Sequence, residues 1–245
     1  MSPEAAATSL SASGPWPVLD MRERRVLGVL VEKAKTTPDT YPLSINALTT
    51  GCNQKSNREP LLNLTDQEVE DTLIRCQKKG LAIKITGGRV VRWKHCLYES
   101  LHVDKVDLAI LGELLLRGPQ TEGELRSRAS RMEPIDDLDA LRNALRPLVE
   151  RKLVVYLTPE ERRGAVLTHG FHDPTELERL RSRVVAEPAD ESPRPSAVAA
   201  SPVQDERWSQ MESAWNAARE DIATLKQTVA SLHEELRQLK QSLGV

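Results

Sequence analysis

Apolar residues recur at helical spacing three times in the first third of the chain, and each recurrence predicts a helix. The first begins over residues 26–31, and a short second one covers residues 44–50 after a loop that contains two prolines. The third opens with the capping box Thr65-x-x-Glu68, in which each residue bonds the backbone of the other. Gly80 lies where this helix should end in a left-handed residue.

A β-hairpin is predicted directly after the third helix. Residues 81–85 and 89–93 are rich in β-branched and apolar residues, and they flank the pair Gly87-Gly88. Two such runs around a glycine turn are typical of an antiparallel hairpin. The resulting order of helix, helix, helix and hairpin is that of a winged-helix domain.

The same order is predicted a second time further along the chain. Residues 106–115 and 121–125 begin two helices, and residues 137–152 make a third. A second hairpin is predicted from residues 153–157 and 165–168, with a charged loop that ends in glycine between them. The chain therefore contains an internal repeat.

The two copies differ by a polar insertion in the first. Gly28 of the first copy aligns with Gly112 of the second, an offset of 84 residues. At the hairpins the offset is 72, since Leu81 aligns with Leu153. The first copy therefore holds about 12 extra residues, which we assign to the segment NQKSNREP at residues 53–60. A winged-helix domain does not need this segment.

The motifs around the insertion resemble a known family. The stretch TTPDTYPLS at residues 36–44, followed by CNQKSNREP at residues 52–60, is similar to the YceH-like family of bacterial proteins. The resemblance covers about residues 20–172. It implies a cytoplasmic protein with two winged-helix domains in tandem.

These patterns predict a fold that is mainly α with small β-hairpins (α+β): two tandem winged-helix domains followed by a C-terminal coiled-coil helix. The predicted segments are a disordered lead-in (1–18), winged-helix domain 1 with the polar insertion (19–100), winged-helix domain 2 (101–172), a short helix (173–186), a flexible linker (187–203) and a coiled coil (204–243).

The C-terminal segment has apolar residues at alternating spacings of three and four, which is an a/d heptad seam. β-branched residues at a and leucine at d favour a parallel dimer, so we expect self-association through residues 204–243. The alternative is an amphipathic helix that docks on its own domain. The predicted dimerisation residues are Ile222, Leu225, Val229, Leu232, Leu236 and Leu239.

Charge and cysteine content restrict the partners and the compartment. The formal net charge is -2, but residues 20–100 carry 14 Lys/Arg against 10 Asp/Glu, so any contact with nucleic acid should involve the first domain. Three cysteines without CxxC spacing favour a reducing cytosol. No apolar run reaches membrane-spanning length, and the N-terminus has no signal-peptide pattern, so we predict a cytoplasmic protein without a membrane partner.

Basic and amide side chains of the first domain are candidates for contact with double-stranded DNA, because such groups bind phosphates and base edges. The alternative without a binding function is a solvent-exposed basic hairpin beside a loop whose side chains form hydrogen bonds with nearby backbone amides. Acidic residues at the start of both third helices repel phosphate and argue against the usual major-groove pose. The candidates are Asn53, Gln54, Lys55, Asn57, Arg58, Lys84, Arg89, Arg92 and Lys94.

Catalytic, metal and cofactor motifs are absent from the sequence. His95-Cys96 and His169-x-x-His172 lack a set of four ligands, so we predict neither a metal site nor a cofactor. The leading hypothesis is a non-enzymatic, dimeric factor associated with DNA or transcription. The alternative is a protein-protein interaction adaptor that resembles segregation and condensation protein B in architecture and does not bind DNA directly.

Overall fold

A computed structural model of the protein describes residues 16–88 and 90–186. Several of the predicted features therefore lie outside the described residues. These are Arg89, residues 1–15 of the lead-in, the linker at 187–203, and the coiled coil at 204–243 with its dimerisation residues Ile222, Leu225, Val229, Leu232, Leu236 and Leu239.

The described chain is mostly helical, with eight α-helices and two small antiparallel sheets. The first half contains α1 (Met21–Thr36), a 3-10 turn (Pro38–Thr40), α2 (Ile45–Cys52), α3 (Asp66–Lys78), β1 (Ala82–Ile85), β2 (Arg92–His95) and α4 (Leu97–Leu101). The second half contains α5 (Lys105–Arg117), β3 (Gln120–Thr121), α6 (Glu122–Ala129), α7 (Leu138–Glu150), β4 (Val154–Tyr156), β5 (Val166–His169) and α8 (Pro174–Ala186).

The order helix, helix, helix and hairpin occurs in both halves, as the sequence predicts. The second half adds the short strand β3, which pairs with β5 and gives the sheet order β3-β5-β4. In the first half, Leu43 makes an isolated bridge to Trp93 at the corresponding edge of the hairpin.

The local signals at the ends of α3 are confirmed. Thr65 accepts a hydrogen bond from the backbone of Glu68, whose side chain accepts one from the backbone of Thr65. Gly80 follows the last turn with φ +72°, a conformation that glycine adopts without steric penalty. Asp20 and Thr121 cap α1 and α6 with the same reciprocal pair of bonds.

The first hairpin has a longer turn than predicted. Ile85 pairs with Arg92, where β2 begins, so the prediction of a strand over residues 89–93 is wrong by three residues at its start. Trp93 explains the later start of β2. Its side chain is buried, and its backbone exchanges two hydrogen bonds with Leu43, of 2.8 and 3.1 Å. These bonds fix the strand around Trp93, whereas Val90 is 55% exposed and has no such anchor.

One continuous apolar core joins the two halves, and its centre is the crossing of α1 and α5. The aligned glycines Gly28 and Gly112 both lie at this crossing. A methyl group on Gly28 would lie 2.8 Å from Cγ of Leu116 and 3.3 Å from Cβ of Leu115, and one on Gly112 would lie 2.6 Å from Cγ1 of Val31. Val31 and Leu115 also align in the repeat, so each helix presents the same positions to the other.

Candidate functional site

Arg58 lies at the centre of the polar insertion, and its side chain is completely buried. Its guanidinium forms a bidentate pair with Glu32 of α1, with Nη1 3.1 Å from Oε1 and Nη2 2.6 Å from Oε2. Its Nε donates to the carbonyl of Gly51 at 3.0 Å. Such a planar, two-point contact uses the fork geometry that only arginine provides. Arg58 therefore holds the insertion to α1 and does not face solvent.

Arg25, one turn before the middle of α1, fixes both ends of the same insertion. Its Nη1 donates to the carbonyl of Cys52 at 2.9 Å, and its Nη2 donates to that of Pro60 at 2.5 Å. The residue is 2% exposed, and this burial, with the charge of Arg58 beside it, lowers the pKa of the guanidinium. Two buried arginines thus replace the apolar contacts that the polar insertion cannot make.

The amide side chains of the insertion are also engaged internally. Asn53 donates to the carbonyl of Leu64 at 2.8 Å and accepts from its amide at 2.7 Å. Gln54 accepts from Arg58 at 2.8 Å. Asn57, with φ +59°, accepts a hydrogen bond from Arg117 at the end of α5. This is the self-capping arrangement that was the alternative to base contact.

The insertion also connects the two halves of the structure. Besides the Asn57–Arg117 contact, the amide of Glu59 donates to the carbonyl of Leu116 at 3.0 Å. We name residues 53–60 the brace, because they bond α1 on one side and α5 on the other. Lys55 is the cation of the brace that is exposed.

The basic residues of the first hairpin are divided between its two faces. Lys84 is opposite Trp93, whereas Arg92 and Lys94 lie on the other face of the two-stranded sheet. The ammonium of Lys84 lies 5.7 Å from the Trp93 ring centroid and 3.7 Å from Glu70 of α3. Arg92 donates to the carbonyl of Pro42 at 2.7 Å. Lys84, Arg92 and Lys94 therefore do not form one continuous basic surface.

His95 lies on the buried face of this hairpin. It is 8% exposed, and burial lowers its pKa to about 4. Its Nδ1 accepts a hydrogen bond from the backbone of Leu97 at 3.4 Å, so the ring is neutral, with its proton on Nε2.

Acidification should therefore destabilise the fold through His95. The unfolded chain binds this proton near pH 6.5 and the folded chain only near pH 4, so stability is complete above about pH 6.5 and falls by about 3 kcal/mol towards pH 4. Urea unfolding at a series of pH values should show a shallower decline for His95→Gln than for the wild type. The exposed His102 provides the control, since His102→Asn should leave the decline unchanged. Equal declines in wild type and His95→Gln would contradict the assignment.

The exposed side of α3 carries a surface whose acidic residues were interpreted from the sequence only as repelling phosphate, and whose exposed apolar residue the sequence patterns did not single out. We name it the α3 outer face, and it combines acidic, apolar and amide groups. Ile74 is 38% exposed and lies outside the buried stripe of Val69, Leu73 and Cys76. An apolar residue outside the buried stripe of a helix is the sequence signal that could have indicated this surface. The members of the α3 outer face are Gln67, Glu70, Asp71, Ile74 and Lys78.

The corresponding helix of the second half has a more basic exposed side. Arg142 is held by Glu122, with Nη2 2.9 Å from Oε2, and Glu122 also accepts from the hydroxyl of Tyr156 at 2.7 Å. Asn143 and Arg146 are exposed on the same helix. This surface also lay outside the predicted candidates, which considered only the acidic first turn of α7.

Two negative findings apply to the described part of the chain. It contains no group of three or more His, Cys, Asp or Glu side chains arranged to hold a metal ion. None of its helices combines the length and the apolar character needed to cross a membrane.

Comparison with known proteins gives consistent matches. The family model described as "Protein of unknown function, DUF480" matches residues 19–164. A UPF0502 protein of Rhodopirellula baltica is 49% identical over 174 residues, which are 71% of this chain and 73% of that protein. A UPF0502 protein of Pseudoalteromonas atlantica is 38% identical over 234 residues, 92% of this chain and 96% of that protein.

A third relative matches over a shorter range. A UPF0502 protein of Geotalea daltonii is 55% identical over 130 residues, and this match spans 53% of the chain and 60% of that protein. The family model covers more than half of the chain, and its range includes both α1 and the brace. The chain therefore belongs to the DUF480 family of bacterial proteins, the YceH-like family that its motifs resemble.

Proposed function

We propose that the chain is a non-enzymatic tandem winged-helix protein that acts as an interaction adaptor for another protein. Both halves have the helix order and hairpin of a winged-helix domain, and the β3-β5-β4 sheet of the second half supports that interpretation. The coiled coil of residues 204–243 would join two such chains in the cytoplasm.

One observation carries the choice of a protein partner. In the brace, Arg58 and the amide side chains face the protein interior. The α3 outer face presents Glu70, Asp71 and Ile74. At this position a DNA-binding winged helix presents groups that attract phosphate. Exposed apolar and acidic groups together suit a protein surface that is basic and apolar.

Site-specific crosslinking in the native bacterium tests the adaptor function. A photoreactive phenylalanine analogue in place of Ile74 should give a discrete protein adduct. The matched control is Leu138 on α7, which is also 38% exposed. The adduct at position 74 should disappear when Asp71→Lys is added. Adducts that are equally frequent at positions 74 and 138, or that survive Asp71→Lys, would count against a specific partner at this face.

Direct contact with double-stranded DNA is the second candidate, and the exposed side of α7 favours it. Asn143 and Arg146 are exposed there, and Arg162 and Arg163 lie in the loop between β4 and β5. Fluorescence anisotropy with a random duplex at about 50 mM and about 200 mM salt measures this directly. Steeply salt-dependent binding that Arg146→Glu abolishes would establish DNA as the partner and overturn the adaptor proposal.

A further inference from the structure

Helix α8 is more exposed than the segment that leads into it. Phe171 and His172 just before it are buried, whereas most of its own residues are exposed. Leu177, Leu180 and Val184 are half-buried. The interactions around His172 therefore act together with the buried Phe171, whose carbonyl accepts from the amide of Leu19 at 2.9 Å, in holding the start of α8.

A single arginine of α1 connects to both sides of this junction. Arg24 Nη1 lies 2.7 Å from Nδ1 of His172, and its Nη2 donates to Oε1 of Glu176 at 2.9 Å. Because a guanidinium only donates, Nδ1 must be an acceptor. The ring is then neutral, and its Nε2–H donates to Oγ1 of Thr168 at 3.0 Å.

A second histidine lies directly against the first. His169 stacks on His172 with the ring centroids 3.9 Å apart and the planes inclined by 17°. It is 1% exposed, and its Nδ1 accepts from the amide of Phe171 at 3.3 Å. A proton added to His172 would place its charge against the Arg24 guanidinium, with Glu176 Oε2, 3.1 Å from Nδ1, as the opposing carboxylate.

The first turn of α8 also forms a wall of a groove. Asp173 and Glu176 line one side of this open groove, which has a volume of about 670 Å³. The start of α1 and the end of α3 line the rest, with Met21 among the apolar residues. Movement of α8 away from α1 would widen the groove.

We propose that His172 is a pH-sensitive latch: its neutral ring, held by Arg24 and Thr168, keeps the first turn of α8 on α1, and its protonation releases that turn and opens the groove. The charged and titratable groups around the latch are Arg24 from α1, Glu176 from α8, Asp173 just before α8, and His169 from β5. From α3, Arg75 and Lys79 pair with Asp20 and Glu23 across the groove.

The protonation equilibria of these groups favour release in acid. Burial lowers the pKa of His172, the contact with Glu176 partly offsets this, and the charge of Arg24 adds to the lowering. Burial also holds the pKa of His169 well below its ordinary value. Burial alone would raise the pKa of Glu176, but its bonds to Arg24 and His172 outweigh this and lower it. The docked state therefore binds fewer protons than the released state, and lowering the pH below about 6.5 favours release.

Hydrogen exchange of the full-length chain tests the latch. After correction for intrinsic rates, amides of α8 should exchange up to about tenfold faster at about pH 5.5 than at about pH 7.5, because an ordinary imidazole is about nine-tenths protonated at the lower pH. Amides in the middle of α5 should keep their protection. An unchanged protection of α8 in the wild type would overturn the proposal.

Two variants identify the residue that senses the pH. His172→Gln keeps an acceptor for Arg24 without a titratable ring, so the pH dependence of α8 exchange should be clearly weaker than in the wild type, whatever its absolute rate, with the contributions of His169 and Glu176 remaining. His102→Asn changes an exposed histidine outside the network and should behave as the wild type. A pH dependence as steep in His172→Gln as in the wild type would assign the switch to another group and overturn the proposal for His172.

Discussion

Replacing Arg58 with methionine is expected to lower the free energy of unfolding by about 3 kcal/mol, because the change leaves a half-buried carboxylate without its main partner. Glu32 would lose both of its bonds to the guanidinium, and the carbonyl of Gly51 would lose its donor. Methionine is similar in length and apolar, so the loss reports the charge and the hydrogen bonds more than the packing. Urea unfolding monitored by circular dichroism measures the change.

Lys55 is the matched control for this experiment, since it belongs to the same segment and is exposed. Lys55→Met should change the free energy of unfolding by less than about 0.5 kcal/mol. If Arg58 were instead a nucleic-acid contact, Arg58→Met would weaken duplex binding and leave unfolding as in the Lys55 variant. That pattern would contradict the structural role of the brace.

Replacing Gly170 with alanine is expected to be the most damaging change of a single methyl group. A Cβ at this position would lie 1.8 Å from the carbonyl oxygen of Lys152, and the backbone there cannot rotate aside as a side chain can. The amide of Gly170 also donates to the carbonyl of Leu153 at 2.7 Å, which holds the two segments together. We expect a loss of roughly 4 kcal/mol or more, with the turn between β5 and α8 displaced.

Gly123 in α6 provides a control for which the same substitution is expected to raise the free energy of unfolding. No atom lies within 4 Å of a Cβ built on it, so Gly123→Ala adds helix propensity without a clash. A small gain, up to about 1 kcal/mol, is expected in the same thermal or urea unfolding measurement. Similar stabilities for Gly170→Ala and Gly123→Ala would show that the β5–α8 turn is not as tightly packed as its geometry indicates.

The sequence predicted those features that depend on neighbouring residues. The capping box of Thr65 and Glu68 and the left-handed Gly80 are set by contacts within a few residues, so their patterns can be read directly. The repeated order of helices and hairpins follows from apolar periodicity, which is also local. The family was identifiable because the motifs of the insertion are unusual.

The interpretation of the candidate site depended on contacts that are distant in sequence. From the sequence, Arg58 is expected to be a solvent-exposed cation, but in the structure it pairs with Glu32, 26 residues earlier. Asn57 likewise bonds Arg117, 60 residues later. The length of the first hairpin turn was mispredicted for the same reason, since Leu43 determines where β2 begins. A polar segment does not reveal whether its side chains bind a ligand or the protein itself.

The crossing of α1 and α5 has the character of an interface between two similar subunits. Gly28 meets Leu115 as well as Leu116, and Gly112 meets Val31, so one pair of these contacts is exchanged when the two copies are exchanged. Self-complementary contact of this kind is what defines a two-fold symmetric dimer. The two halves therefore contact each other at this crossing much as two subunits do, and the brace adds to that interface from one half alone.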